Sequence, residues 1–448
     1  MFRTVLPALL LFALAAPLAT CAETPAERGY RLLLEKPYLP ADFDESLLAD
    51  VWQAWPEPLR SEAEKATPAE RRQMAFRRYG ITPRPGEESG LPLQYVVRDD
   101  GGWSMNCFAC HGGRVDGKVI PGSPNTHFML QSLTEELRHI KLDRGTLPGR
   151  LDVASLLFPL GGHRGGTNAV MFGVILMAQR DAELNVVPYR PPQLARHDME
   201  PPPLGHFRKR KALYVGGFGD KSPRALMPFV MVKQNSGETM RGWEADFADI
   251  YAYLESLEPP KYPYPVDEKL AAEGRLLFNR NCAECHGTYG ENPTYPQEVV
   301  PLEVIGTDPV RLRGLSREHR ERYRESWLAH YGDDRVDTEP AGYLAPPLDG
   351  LWASAPYFHN GSVPTLAHLL ELEPRPTVWR RDLEGYDRER IGLPVETFET
   401  IPTDVSHPHE RREFYDTRRP GNSSAGHAFF DPLTPTDRRA VLEYLKTL

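Results

Sequence analysis

Cysteine, methionine and long apolar stretches are all scarce in this chain. Five of its 448 residues are cysteine, and all ten methionines lie at or before Met240. The apolar residues 5–18 are too few to span a bilayer, and no other stretch is a better candidate. The net charge of −9 and the lack of a basic tract argue against a nucleic-acid partner. The chemistry of the chain is therefore sought in its few cysteines and its 14 histidines.

Four of the five cysteines occur in two copies of one motif, Cys107-Phe108-Ala109-Cys110-His111 and Cys282-Ala283-Glu284-Cys285-His286. This CxxCH pattern is the attachment signature of a c-type haem, in which both thiols bond to the porphyrin and the histidine ligates the iron. A redox dithiol and a zinc site are the alternatives. A zinc ribbon, however, pairs its CxxC units over about 15–20 residues, whereas Cys110 and Cys282 lie 172 residues apart. The sequence predicts two covalently bound haem c groups, attached at Cys107, Cys110, Cys282 and Cys285 and ligated by His111 and His286.

Residues 1–22 resemble an export signal, with a basic residue, the apolar run 5–18 and small residues after it. Haem is attached to CxxCH outside the cytoplasm in bacteria, so the signal and the motifs agree on a periplasmic or otherwise exported protein. The fifth cysteine ends Leu18-Ala19-Thr20-Cys21, which resembles a lipoprotein cleavage box except that threonine precedes the cysteine. We expect plain cleavage near Ala22. A lipid anchor at Cys21, which would make this an outer-membrane lipoprotein, is the alternative.

Helix signals are short and separated by many loop-forming residues. Thr24-Pro25-Ala26-Glu27 and Thr67-Pro68-Ala69-Glu70 are capping boxes that each predict the start of a helix. The 44 prolines and 36 glycines predict long ordered loops between the helices. We therefore predict a mainly α fold of two tandem cytochrome c domains with long ordered loops.

A proline-rich stretch separates the two predicted domains. The amphipathic helix 243–257 ends just before Pro259-Pro260, which indicates a domain boundary. A helix over 267–279 then leads into the second CxxCH motif, which is the order found in a cytochrome c domain. We predict a signal peptide at 1–22, an N-terminal extension at 23–60, a first domain at 61–260, and a second domain at 261–448 with an insertion at about 288–420.

The second haem lacks a methionine of its own domain as sixth ligand, because no methionine follows Met240. A histidine is the other common choice and gives a lower potential than methionine. The candidates after the second motif are His319, His330, His359, His368, His407, His409 and His427. We favour His427, which lies in the small-residue segment 421–429. A surface loop histidine is the alternative.

Residues 343–366, which include Pro346-Pro347-Leu348-Asp349-Gly350 and Tyr357-Phe358-His359-Asn360-Gly361, resemble the signature of bacterial di-haem cytochrome c peroxidases. They are still more similar to the related di-haem rubber oxygenases. Residues 422–427 resemble the segment that supplies the distal histidine of the second haem in the rubber oxygenases. The resemblance implies that the N-terminal haem meets peroxide or dioxygen, and that the C-terminal haem passes or stores electrons.

The sequence does not identify a distal ligand for the first haem. His163, His127, Met227 or Met231 could ligate its iron, or the position could be vacant. Asn235-Ser236-Gly237-Glu238-Thr239-Met240 loosely resembles the peroxidase segment that carries the catalytic glutamate, so Glu238 is the candidate acid or base. A solvated loop carboxylate is the alternative for Glu238.

These observations predict an exported di-haem c-type cytochrome oxidoreductase. It would use peroxide or dioxygen at the N-terminal haem, with the C-terminal haem in electron transfer and a small redox protein as electron partner. The alternative is a non-enzymatic electron carrier in which both irons are six-coordinate.

Overall fold

The structure is a computed structural model that describes residues 22–332 and 336–448. The predicted export signal, apart from residue 22, and Cys21 lie outside the described residues. Within those residues, no helix is both long and apolar enough to cross a bilayer. Residues 22–260 are called the first half below, and residues 261–448 the second half.

The structure is 39% helical and 12% strand, so the prediction of a mainly α fold is wrong. The helices are α1 (Pro25–Glu35), α2 (Glu45–Asp50), α3 (Leu59–Lys65), α4 (Pro68–Tyr79), α5 (Phe108–His111), α6 (Leu130–Asp143), α7 (Arg150–Leu157), α8 (Ala169–Met177), α9 (Gly237–Gly242), α10 (Glu244–Ser256), α11 (Glu268–Asn281), α12 (Ala283–His286), α13 (Leu302–Ile305), α14 (Val310–Gly314), α15 (Arg317–Glu325), α16 (Leu366–Leu369), α17 (Pro408–Arg411) and α18 (Pro435–Leu445). Short 3-10 helices cover Val51–Ala54, Phe207–Lys209, Arg224–Val230, Trp327–Ala329 and Leu351–Ser354.

The strands are short and pair antiparallel in several small sheets. They are β1 (Phe43–Asp44), β2 (Tyr95–Val97), β3 (Gly102–Met105), β4 (Gly112–Val115), β5 (Lys118–Pro121), β6 (Ala212–Leu213), β7 (Gly219–Asp220), β8 (Val299–Pro301), β9 (Gly342–Leu344), β10 (Val378–Arg381), β11 (Val395–Phe398) and β12 (Phe414–Asp416). Two sheets have three strands, in the orders β1-β3-β2 and β11-β10-β12, and β4 pairs with β5 directly after the first motif. Segments that the sequence assigned to loops therefore satisfy their backbone groups by pairing with each other.

Both predicted capping boxes are present. Thr24 and Thr67 each accept a hydrogen bond from the backbone of the glutamate three residues later, and proline occupies the first turn. Thr434 caps α18 in the same way. These ends form as predicted because a cap depends only on residues within one turn.

One helix pair in each half crosses at a glycine. In the second half α11, which leads into Cys282, packs against α18, and a Cβ at Gly274 would overlap the carbonyl oxygen of Ala440. In the first half α1 packs against α10, and a Cβ at Gly29 would overlap the carbonyl oxygen of Asp249. The helix α1, which the sequence placed in an extension, thus holds the position that α11 holds in the second half.

Buried apolar side chains form three clusters, and each of them includes or contacts a residue of a CxxCH motif. The first cluster joins Phe108 of the first motif to α8 and α10. The second surrounds Trp352 and includes Phe278, with Cys282 of the second motif packed against it. The third lies around Trp55 and Trp103. Each motif is therefore placed at the edge of an apolar core.

Candidate haem-binding sites

The first CxxCH motif forms the short helix α5 immediately after strand β3. The side chain of Asn106 accepts a hydrogen bond from the backbone N–H of Phe108 at 2.9 Å, which fixes the start of the motif. Nδ1 of His111 donates to the carbonyl oxygen of Pro202 at 3.1 Å. This bond selects the tautomer that leaves the lone pair of Nε2 free to ligate a metal. Burial lowers the pKa of His111 to about 4, so the ring is neutral at pH 7.

The second motif repeats this arrangement. Nδ1 of His286 donates to the carbonyl oxygen of Pro346 at 2.9 Å, and burial lowers the pKa of His286. Pro202 and Pro346 each begin a Pro-Pro-Leu sequence, at 202–204 and 346–348. Sequence reasoning missed this partnership, although the repeated tripeptide downstream of each motif was a signal for it. A haem histidine needs such an acceptor to hold its ring in orientation.

The thiols of both motifs can be reached from solvent but are poorly hydrated. Cys107 is exposed, and Cys110, Cys282 and Cys285 are partly exposed. Burial nevertheless raises the pKa of Cys107 to about 11 and that of Cys110 to about 12. Each thiol is therefore open to solvent on one side, while protein on its other sides keeps it poorly hydrated.

The alternatives to haem attachment fit these cysteines less well. A redox dithiol requires a thiol with a lowered pKa, whereas the pKa of Cys282 is raised to about 11 by burial. A structural zinc site requires four converging ligands. Among the described residues, no group of three or more His, Cys, Asp or Glu side chains could hold a metal ion. The cysteines therefore fit attachment of an external group better than a zinc site or a dithiol.

His427 lies opposite His286 across the second site. The two ring centres are 6.2 Å apart with an angle of 54° between the ring planes. Two histidines that bind one metal from opposite sides at about 2 Å each have ring centres roughly 6 Å apart. The side chains of Phe358, Phe429 and Phe430 surround the His427 ring. The geometry therefore leaves room for an iron between the two rings.

The loop that carries His427 is held by hydrogen bonds and by glycine. Nη1 of Arg375 donates to the carbonyl oxygens of Ser424 at 2.6 Å and Gly426 at 2.8 Å. The backbone N–H of His427 donates to the carbonyl oxygen of Ile305 at 2.7 Å. His427 has φ of 56° and Gly426 has φ of 84°. A non-glycine residue at positive φ costs about 1–2 kcal/mol, which indicates that surrounding contacts determine this conformation.

Other histidines of the second half have different partners. His359 stacks on the ring of Tyr343 with 4.3 Å between centres. Nδ1 of His368 lies 2.7 Å from the hydroxyl of Thr365. These contacts are those of packed structural side chains.

Helix α8, which shares the first apolar cluster with Phe108 of the first motif, has no polar side chain. Helix α8 reads Ala-Val-Met-Phe-Gly-Val-Ile-Leu-Met, and only Met171, Val174 and Met177 are buried. A helix that is apolar on all sides is normally buried on all sides. A mostly apolar cavity lies against α8, with Gly173, Phe218 and Met231 in its wall. The uncovered apolar surface suits a flat apolar group such as a porphyrin.

The sequence candidates for the distal side of the first haem are dispersed. Met227 and Met231 are both buried in the first cluster, and Met231 also lines the α8 cavity. His163 packs on the ring of Tyr415 with 4.5 Å between centres, and His127 lies beside Arg381.

Glu238 lies exposed in the first turn of α9. This position fits the alternative of a solvated carboxylate better than a buried distal acid, and a catalytic role for Glu238 stays a prediction.

Comparison with known proteins links the chain to cytochromes over a limited segment. A family model described as RoxA-like, cytochrome c-like matches residues 342–380. This segment contains Pro346, whose carbonyl oxygen accepts from His286, and Arg375, which holds the His427 loop. A cytochrome c-like domain implies covalently bound haem c.

Two curated proteins of Sinorhizobium fredii (strain NBRC 101917 / NGR234) are similar to parts of the chain. Uncharacterized protein y4iM is 32% identical over 201 residues, which covers 39% of this chain and 44% of that protein. Uncharacterized protein y4iJ is 28% identical over 259 residues, which covers 43% of this chain and 41% of that protein. The chain thus spans less than half the length of the curated relatives it matches. The match over residues 342–380 supports a cytochrome c family for this protein.

Proposed function

We propose that this protein is an exported di-haem c-type cytochrome oxidoreductase that uses peroxide or dioxygen at the N-terminal haem. The observation that carries the proposal is the unequal surroundings of the two motif histidines. His286 has a second histidine ring, His427, at 6.2 Å. Among the described residues, no comparable pair of rings involves His111. The C-terminal haem is accordingly assigned to electron transfer.

Each haem, when bound, supplies an iron that exchanges single electrons and that binds a small oxidant where an axial position is open. The residues of the chain determine which site is open. Pro202 orients His111, and Pro346 orients His286. Arg375 holds the loop that carries His427, the proposed second ligand of the C-terminal haem. Helix α8, which shares an apolar cluster with Phe108 of the first motif, would help to exclude water from a haem held by that motif.

Haem attachment and electron transfer also suggest where the protein is located and which partner it uses. CxxCH attachment in bacteria takes place outside the cytoplasm, which supports an exported protein. Electrons for the N-terminal haem would come through the C-terminal haem from a small redox protein.

The test uses the exported holoprotein with both haems attached. Visible and EPR spectra are recorded for the fully oxidised and half-reduced protein, before and after addition of CO, peroxide or dioxygen. We expect ligand binding at one haem, with the C-terminal haem unaffected. Absence of ligand binding at either haem in both redox states would reject the proposal and indicate an electron carrier.

Two double variants assign the reactive haem. Cys282→Ala/Cys285→Ala removes the attachment of the second haem and should retain ligand binding. Cys107→Ala/Cys110→Ala removes the attachment of the first haem and should abolish it. The opposite pattern would place the reactive iron at His286 and contradict the assignment.

A further inference from the structure

A partly buried ion pair links the two Pro-Pro-Leu segments that orient the motif histidines. We call residues 202–205 the first proximal loop and residues 346–350 the second proximal loop. Lys209, at the end of the 3-10 helix that follows the first loop, places its Nζ 2.6 Å from Oδ1 of Asp349 in the second loop. The side chains are 31% and 15% exposed, so solvent screens this pair incompletely.

Lys209 also contacts Tyr289, which follows the second motif by three residues. Its Nζ lies 5.1 Å from the ring centre of Tyr289. The hydroxyl of Tyr289 donates to the carbonyl oxygen of His286 at 3.0 Å and accepts from the backbone N–H of Leu348 at 2.7 Å. The ammonium group of Lys209 therefore contacts both Asp349 and Tyr289, which lie close to His286 in the structure.

The segment that bears Lys209 is tied to the first motif by backbone hydrogen bonds. The N–H of Gly122 donates to the carbonyl oxygen of His111 at 2.6 Å, and the N–H of Leu204 donates to that of Gly122 at 2.8 Å. The N–H of Lys209 donates to the carbonyl oxygen of His206 at 3.0 Å. Residues 202–209 thus connect the acceptor of His111 to the Lys209 side chain.

If either Lys209 or Asp349 is replaced by a neutral residue, the charge of the other is left uncompensated. Oδ2 of Asp349 is buried and has no hydrogen-bond partner. His206 lies buried beside Asp349, and burial lowers its pKa to about 3, so it does not supply a positive charge at pH 7. Removing Lys209 would leave a buried carboxylate without its closest cation, and such a group acts strongly on nearby charges.

We propose that the Lys209–Asp349 pair couples the two proximal loops and sets the difference in potential between the two haems. This inference rests on the proposed two-haem function. Lys209 and Asp349 are positioning residues: they act through Tyr289 and the proximal loops and not on the oxidant. A nearby cation stabilises the reduced form of a haem and a nearby anion stabilises the oxidised form.

The test measures the midpoint potential of each haem by anaerobic titration followed in the visible spectrum. Lys209→Met should lower the potential of the C-terminal haem, and Asp349→Asn should raise it. Each single change should shift the partition of one electron between the haems by about tenfold, or 59 mV, in opposite directions. The double variant should return most of the way to the parent, and Lys209→Arg should preserve the parent potentials.

A merely structural role would shift both single variants in the same direction, and that result would overturn the inference. Unchanged potentials in both single variants would also overturn it. Lys446→Met is the matched control, since Lys446 Nζ lies 2.6 Å from Glu443 with side chains 12% and 11% exposed. This control should leave both potentials unchanged, and an equal shift there would count against the inference.

Failure of this inference is distinguishable from failure of the proposed function, because the titration contains no oxidant. Shifted potentials in a protein that never binds peroxide or dioxygen would reject the proposed function alone. Unshifted potentials in a protein that does bind them would reject the coupling alone.

Discussion

Replacing Arg375 with methionine tests how the loop that presents His427 is held. Nη1 of Arg375 donates to the carbonyl oxygens of Ser424 at 2.6 Å and Gly426 at 2.8 Å, and the side chain is 13% exposed. Methionine keeps most of the length of the side chain but removes both donors. The loop should then leave the second site more often.

The size of the effect follows from these two bonds. Hydrogen bonds from a charged donor contribute about 1.5–3 kcal/mol each. The lower value gives about 3 kcal/mol for the pair, which is roughly a hundredfold change in the ratio of closed to open loop. The apparent affinity for an external ligand scales with the open fraction. Imidazole should therefore bind the C-terminal haem roughly a hundredfold more tightly in Arg375→Met.

The assay is an imidazole titration of the oxidised holoprotein followed in the visible spectrum. Arg180→Met is the matched control, because Arg180 donates to four backbone carbonyls of the first half, those of Leu184, Met231, Val232 and Asn235. It should leave imidazole affinity at the C-terminal haem unchanged. Unchanged affinity in Arg375→Met would refute the role assigned to Arg375, and an equal gain in the control would attribute the effect to general destabilisation.

Three further predictions concern ligation, packing and pH. His427→Ala should make the C-terminal haem high-spin, and an unchanged low-spin EPR signal would exclude His427 as its ligand. Gly274→Ala should lower the thermal midpoint, because the added methyl overlaps the carbonyl oxygen of Ala440 and overpacking costs about 1–3 kcal/mol. The same change at the exposed helical Gly242, where a Cβ meets no other atom, is the control. Burial raises the pKa of Glu413, but Arg164, at 2.6 Å, outweighs it and holds that pKa well below its usual range. The pair therefore stabilises the fold above the unfolded pKa of about 4.3, and this contribution is lost as the pH falls towards the lowered value. Glu413→Gln should lower the free energy of unfolding by about 3–5 kcal/mol at pH 7. Measured by urea unfolding, its difference from the parent should be smaller at pH 3. An equal difference at both pH values would contradict the linkage.

Local features of the fold were predictable from the sequence. The helix starts at Thr24 and Thr67 form as predicted, because a capping box depends on four consecutive residues. The mainly α prediction failed because the strands have two to four residues and find partners elsewhere in the chain. Strand β10, for example, pairs with β11 and with β12, which begins more than 30 residues later. A run of four residues shows too little alternation to be recognised as a strand.

For the candidate sites, too, local features were predictable from the sequence and contacts between distant residues were not. By itself the sequence determined both CxxCH motifs and their histidines, because attachment chemistry requires a fixed local spacing. It also favoured His427, from the lack of a methionine after Met240 and from the small-residue segment 421–429, and a resemblance agreed with that choice. Only the tertiary structure decided that His427 lies opposite His286, that Pro202 and Pro346 orient the two histidines, and that Lys209 meets Asp349. Those contacts join residues 60–141 positions apart, and such pairings depend on how the whole chain packs.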